Sequence, residues 1–248
     1  MEDLEHSLYI VELFNKIFAK PLAWILSLFG IQIKNPEHFI PNTVVMCIIA
    51  ATALIIFFFI ASKKLQLVPS KIQSFLELLY KAFENQLIEI IGQQGSQYVP
   101  LVATIGIFIF TSNLLGLIPG LMSPTSNLNV TAACALVVFV YYHWQGVKSQ
   151  GILKYLKHFF GPIPFLAPLM LPIEIISHFS RVVSLSIRLF GNIFAEELLI
   201  VVMISIIPFF LPLPFMAVAI FTAFIQAFVF VMLTCIYLAG AVAQEEEH

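Results

Sequence analysis

The chain's two arginines, Arg181 and Arg188, lie in one strongly apolar stretch, Leu171 to Ile206, which also holds Glu174, Glu196 and Glu197. An ionised side chain placed in hydrocarbon costs at least ~2.5–3.5 kcal/mol on membrane-insertion scales. Residues retained at that cost face a bundle interior or a watery cavity, and they mark ion pathways. A guanidinium does not give up its proton inside a protein, so the arginines can attract or block a moving charge but cannot relay H⁺. Carboxylates can take a proton up and release it. The chemistry this set offers is the movement of a proton or cation across a membrane.

Spacing sorts the set. On a helix advancing about 100° per residue, Glu174, Ser177, Arg181, Ser184 and Asn192 fall within roughly 40° of Arg188, while His178 and Glu196 lie near roughly 80°. Glu197 comes out at roughly 180°, behind the seam. One reading of the seam is structural, because buried ions must pair and Glu174 stands seven residues from Arg181. The other is transport, because apolar replacements would stabilise a bundle as well as buried pairs do. In the next apolar segment Gln226, flanked by Thr222 and Thr234, is the one strongly polar residue of the membrane body. It reads either as hydrogen-bonding glue between helices or as the partner of Arg188 across the hairpin.

The elements that must position these groups follow from composition. With 60% hydrophobic and 10% charged residues and a mean hydropathy of +0.98, the 248-residue chain cannot present a water-soluble surface. A net charge of −2 argues against a nucleic-acid partner. Cys47, Cys134 and Cys235 lie in apolar segments without metal-ligand spacing and read as small core residues, so neither metal nor cofactor is expected. Residues 1–40 read as an N-terminal amphipathic segment at the outer membrane face, helical over about 6–31 and interrupted by Pro21. Residues 41–248 read as a single membrane domain.

Within that domain, membrane helices are predicted at about 43–61, 100–119, 128–146, 171–206 and 213–241, with an amphipathic helix at about 70–91 held at the surface by Lys71, Glu77, Lys81, Glu84 and Glu89. The 58 residues from Ile90 to Val147 carry no Asp, Glu, Lys or Arg, and the breakers Pro119-Gly120 and Ser123-Pro124-Thr125-Ser126-Asn127 fold them into a hairpin. Lys63, Lys64, Lys148, Lys154 and Lys157 mark the inner side, giving an outer N-terminus and an inner C-terminus. Tyr141, Tyr142 and Trp144 are expected at the inner interface. A helix over 171–206 is about 54 Å long against a hydrocarbon core of about 30 Å, so it must tilt steeply or bend, with Gly191 and Asn192 as the expected bend. Pro208, Pro212 and Pro214 then reverse the chain. The fold class is an all-α polytopic membrane protein of about five membrane helices plus amphipathic surface helices, ending in two long, steeply tilted antiparallel helices.

The run Ser184-Leu185-Ser186-Ile187-Arg188-Leu189-Phe190-Gly191-Asn192, followed by Ala195-Glu196-Glu197-Leu198, closely resembles the signature of the subunit a family of F-type ATP synthases. Ser112-Asn113-Leu114-Leu115-Gly116-Leu117-Ile118-Pro119 resembles the family's other characteristic segment, and Gln226-Ala227-Phe228-Val229-Phe230 its last helix. The resemblance runs from Pro41 onward. It implies a stator subunit of the Fo proton channel, not catalytic by itself, that works against a ring of c subunits, beside the peripheral stalk subunit b and the rest of the synthase, in membrane lipid. It implies that Arg188 faces the rotor carboxylate, that Glu197 is the acid of a proton half-channel and that Gln226 is the polar partner on the last helix. Ser184, Asn192, Glu174 and Asn113, with Glu196 and His178, are implied to line the two access paths. Where some members carry a histidine on the last helix, this chain has Ala219, so the protonatable pair is Glu196 with Glu197. Arg181 is outside the signature and is read as structural.

The transported ion is expected to be H⁺, with Na⁺ as the alternative, and the location a bacterial inner membrane, with thylakoid or mitochondrial inner membrane as the alternatives. A stand-alone secondary transporter or channel is the other function class, but such proteins show internal repeats or paired broken helices, and no convincing repeat is found. An intramembrane enzyme needs a nucleophile and base that converge, and the adjacent Ser177 and His178 point in different directions on a helix.

Overall fold

The computed structural model describes residues 11, 14–16, 40–63, 65–118, 121–159, 167–207 and 210–242. Its helices are α1 (Asn42–Ser62), α2 (Lys71–Ile91), α3 (Val99–Leu115), α4 (Leu128–Gln150), α5 (Ile152–Phe159), α6 (Ala167–Ile206) and α7 (Pro212–Val242). Short 3₁₀ segments at Gln93–Tyr98 and Pro124–Ser126 precede α3 and α4. Five of these elements, α1, α3 with its 3₁₀ lead-in, α4, α6 and α7, are long and apolar enough to cross a bilayer. The architecture is that of an all-α polytopic membrane protein.

Local chemistry sets most of the boundaries. The Ser70 hydroxyl accepts from the Gln73 N–H at 3.3 Å and caps α2. Gly92 ends that helix at φ 91°, a backbone state that side chains resist. Asn127 caps α4 by accepting from the Asn129 N–H at 2.9 Å. Gly151, at φ 83° and ψ 156°, turns the chain sharply into α5, a short helix that composition alone did not foretell. Helix α6 begins at Ala167 rather than near 171, and carries Pro172 inside its second turn, where the ring forgoes one backbone hydrogen bond. It then runs unbroken for 40 residues, through Gly191 and Asn192 where a bend was expected. Helix α3 stops at Leu115, four residues short of the expected end, and Gly116 begins the turn.

Packing joins these helices around one apolar core. Leu87 of α2, Val102 and Ile109 of α3, Val138 and Tyr142 of α4, Leu185 and Leu189 of α6, and Phe230 and Leu238 of α7 are all buried in it. Tyr142 thus corrects the expectation of an interfacial tyrosine: it is 1% exposed, whereas its neighbour Trp144 is 69% exposed. The cause is α6, which lies along α4 and covers that face. Gly146 of α4 lets two other elements approach, since a Cβ there would lie 2.5 Å from Tyr155 of α5 and 3.0 Å from the Ala241 carbonyl of α7. A second small core joins Val11, Ile40, Val45 and Met46. Asn15 holds it by donating to the Ile40 carbonyl and accepting from the Ile40 N–H, both at 3.3 Å. The rest of the expected N-terminal helix lies outside the described residues.

Candidate functional site

Helix α6 presents its chemistry around a buried stripe. His178, Leu185, Leu189 and Ile193 are buried, which centres the stripe roughly 100° from Arg188 at helical spacing. Arg188 therefore sits at the edge of the buried face and is exposed, as are Ser184 and Asn192 one turn to either side. It makes no hydrogen bond or ion pair with any described residue. The expected pairing of Arg188 with Gln226 is not formed. Gln226 is half-buried on α7 and likewise makes no hydrogen bond among the described residues. Glu174 does not reach Arg188 either, since its ion-pair partner is His178.

Nine residues toward the C-terminus of α6, about 13 Å along the axis, Glu197 points to the other flank of the stripe. Its Oε1 accepts the Ser123 backbone N–H at 2.8 Å, and the Ser126 side chain lies beside it. The carboxylate rests on Gly116: a Cβ added there would lie 2.7 Å from Oε1 and 2.7 Å from the Ser123 Cβ. Beneath it is a layer of buried polar side chains. The Ser123 hydroxyl donates to the Ser112 carbonyl at 2.9 Å and lies 2.7 Å from the Thr125 hydroxyl. Thr125 donates to Asn113 Oδ1 at 2.6 Å, and Asn113 Nδ2 donates to the Ala223 carbonyl of α7 at 3.4 Å. Separately, Thr131 of α4 and Ser186 of α6 meet at 3.2 Å. Glu196 is turned to a different neighbour, Thr222 of α7, so the two adjacent carboxylates do not share a site.

At the other end of α6, fourteen residues before Arg188 and about 21 Å along the axis, Glu174 Oε1 lies 3.3 Å from His178 Nε2. The opposite ring nitrogen, Nδ1, meets the Tyr142 hydroxyl of α4 at 2.8 Å. His143 packs on His178 with ring centroids 4.9 Å apart, and Tyr155 of α5 packs on His143 at 6.0 Å. Outside the membrane-spanning segments, burial pushes the Tyr155 phenol up from its ordinary value. Arg181 lies over the Tyr237 ring of α7, 5.3 Å from its centroid, a cation–π contact that ties α6 to α7.

Of the residues expected from sequence, the structure joins Glu197 to the Asn113 layer and Glu174 to His178. It leaves Arg188, Ser184 and Asn192 on an open edge between those two clusters. Ser123, Thr125 and Ser126 were legible only as a turn, and Tyr142 only as an interfacial aromatic. The bonds that give them significance span 74 and 36 residues of sequence, and no local pattern records them. Among the described residues no group of three His, Cys, Asp or Glu side chains could hold a metal ion. The arrangement offers two separate sets of proton-handling groups, with a fixed cation between them along one helix.

Known proteins have related sequences. The profile of the family described as ATP synthase A chain matches residues 44–239. An ATP synthase subunit a from Geotalea daltonii is 49% identical over 195 residues, covering 79% of this chain and 84% of its own length. One from Campylobacter jejuni is 47% identical over 202 residues, covering 81% and 89% respectively. One from Citrifermentans bemidjiense is 50% identical over 188 residues, covering 76% and 82%.

Proposed function

This chain belongs to the ATP synthase A chain family, and from that premise we propose that it is the stator subunit of an Fo proton channel, with Arg188 facing the carboxylates of a rotating ring of c subunits. The observation that carries the reading is the open position of Arg188 on α6, without an ion-pair partner among the described residues, with Glu197 and its hydroxyl layer on one side and Glu174 with His178 on the other.

The mechanism follows from electrostatics. A rotor carboxylate in hydrocarbon favours its protonated form, because desolvation penalises the charge. Opposite Arg188, at about 4 Å and an effective dielectric of about 20, the ionised form gains about 4 kcal/mol, or about three pKa units. The rotor site therefore surrenders its proton as it meets the arginine. The same permanent cation keeps protons from crossing directly between the two clusters. Glu197, with Asn113 and Glu196 nearby, serves the outer half-channel; Glu174 and His178 serve the inner one. Ser184 and Asn192 line the approach to Arg188, and Gln226 faces the same gap from α7. Two paths that do not meet convert a leak into rotation, and a charge crossing 100 mV yields about 2.3 kcal/mol.

The ring is proposed to lie against the Arg188 edge. The peripheral stalk subunit b is proposed to use the apolar groove of α1, α2 and α3 lined by Leu54, Phe58, Leu79, Phe83 and Ile107. The chain conducts and does not itself catalyse. Its place is a bacterial inner membrane, N-terminus outside and C-terminus in the cytoplasm, following the lysine asymmetry. Arg188→Ala is expected to insert and assemble while ATP-driven proton pumping in membrane vesicles falls to background. Normal pumping by an assembled Arg188→Ala complex overturns the reading.

A further inference from the structure

The 121–127 turn does more than link α3 to α4. We infer that it is a positioning device for Glu197, in which Thr125 and Asn113 pin the turn so that the Ser123 N–H and the bare Cα of Gly116 fix the carboxylate in place. The inference rests on the reading of Glu197 as the acid of the outer half-channel.

Three observations converge on it. First, the Ser123 N–H is aimed at Oε1 across 2.8 Å, the length of a charge-assisted bond. A backbone donor cannot swing aside as a side chain can, so its aim depends wholly on how the turn is held. Second, the turn is held from below. Thr125 is fully buried and donates to Asn113 Oδ1 at 2.6 Å, Ser123 donates to the Ser112 carbonyl at 2.9 Å, and Ser126 donates to the Ser123 carbonyl at 2.8 Å. Asn113 in turn is anchored to the Ala223 carbonyl, so the turn is referenced to α7, the helix that carries Gln226. Third, the seat has no slack. Any side chain at Gly116 would meet the Glu197 oxygen and Ser123 together, at 2.7 Å from each. Thr125 touches neither Glu197 nor Arg188 in any described contact and acts only through the turn. It is a positioning residue, and Gly116 is a second one.

The groups facing Glu197 from α3 and the turn are Gly116, Ser123 and Ser126, none of them titratable, and Glu196 is the charged neighbour on its own helix. A donor aimed at the ionised form favours that form. Loosening the turn therefore lets the proton stay bound to higher pH.

The experiment measures ATP-driven proton pumping by the assembled complex in membrane vesicles as a function of pH, with assembly checked by subunit recovery. Thr125→Val, which keeps the shape and removes the hydroxyl, is expected to move the midpoint of the profile upward by about half a unit to one unit. Thr125→Ser, which restores the hydroxyl, is expected to return it. An assembled Thr125→Val complex whose profile is unmoved overturns the inference. Should that variant not assemble, Gly116→Ala tests the same seat from the other side: a moved midpoint supports it and an unmoved one overturns it. Glu197→Gln separates the two layers of argument. Normal pumping by that variant refutes the half-channel reading itself. Loss of pumping there, with unmoved profiles in the positioning variants, refutes only the inference drawn from it.

Discussion

Arg188 and Tyr142 show how differently two residues can be legible. Arg188 stood out because a permanent cation in an apolar stretch is costly, and the structure places it at an open edge. Tyr142 looked like one of three interfacial aromatics, and only the fold reveals that its hydroxyl meets His178 Nδ1 at 2.8 Å while Glu174 holds the opposite nitrogen. Tyr142→Phe keeps the ring and leaves a buried ring nitrogen without that hydroxyl. It is expected to lower stability by about 1–3 kcal/mol, measured as earlier thermal unfolding of the detergent-solubilised complex. Combining it with His178→Ala should cost less than the sum of the two changes, because both remove the same bond. Full additivity would show that the contact contributes nothing. Helical periodicity alone sets Glu197 apart from the Arg188 seam. Its actual partner, the Ser123 N–H, belongs to tertiary structure and has no local signal.

At the scale of elements, long apolar runs translated directly into helices, because a chain in hydrocarbon must satisfy its backbone within each segment. Their ends were less legible. The helix expected from residue 171 begins four residues earlier, at Ala167. The eight residues of α5 carry too little pattern to be distinguished from a loop. That short helix nevertheless packs Tyr155 against Gly146 of α4, beside the Ala241 carbonyl of α7. Gly146→Leu is expected to push Tyr155 and the end of α7 away from α4, at an overpacking cost of about 1–3 kcal/mol, read as lower thermal stability and reduced subunit recovery. Gly151→Ala should behave similarly, because φ 83° with ψ 156° is a backbone state that costs a residue with a side chain about 1–3 kcal/mol. Unchanged stability in both variants would mean that the α4–α5 joint is not under constraint.

For the whole molecule, the lysine asymmetry and the proposed ring-facing edge make claims that labelling can check. In a background lacking the three native cysteines, Ser184→Cys and Asn192→Cys are expected to cross-link to the rotor helix, whereas Leu185→Cys, only 3% exposed, should not. Equal cross-linking from all three would place the ring elsewhere. A membrane-impermeant maleimide should reach Ser62→Cys only from the inner side and Asn129→Cys only from the outer side; the reverse pattern would invert the assigned orientation. The number of membrane helices and their order were legible because hydropathy is a property of each segment. Which faces of those helices meet was not, because it depends on the buried stripes of α4, α6 and α7 interlocking.

Helix α6 runs unbroken for 40 residues, tied through Arg181 to Tyr237 of α7 and, sixteen residues on, through Glu197 to the 121–127 turn. In the proposed arrangement, a ring driven past its midpoint pushes back with equal and opposite torque. A hinge at Gly191 would absorb that reaction as local flexing and let the arginine trail along behind its moving partner. A continuous helix tied at two separate points would transmit the load to the frame, so that each step of the proposed ring ends in turning and not in bending.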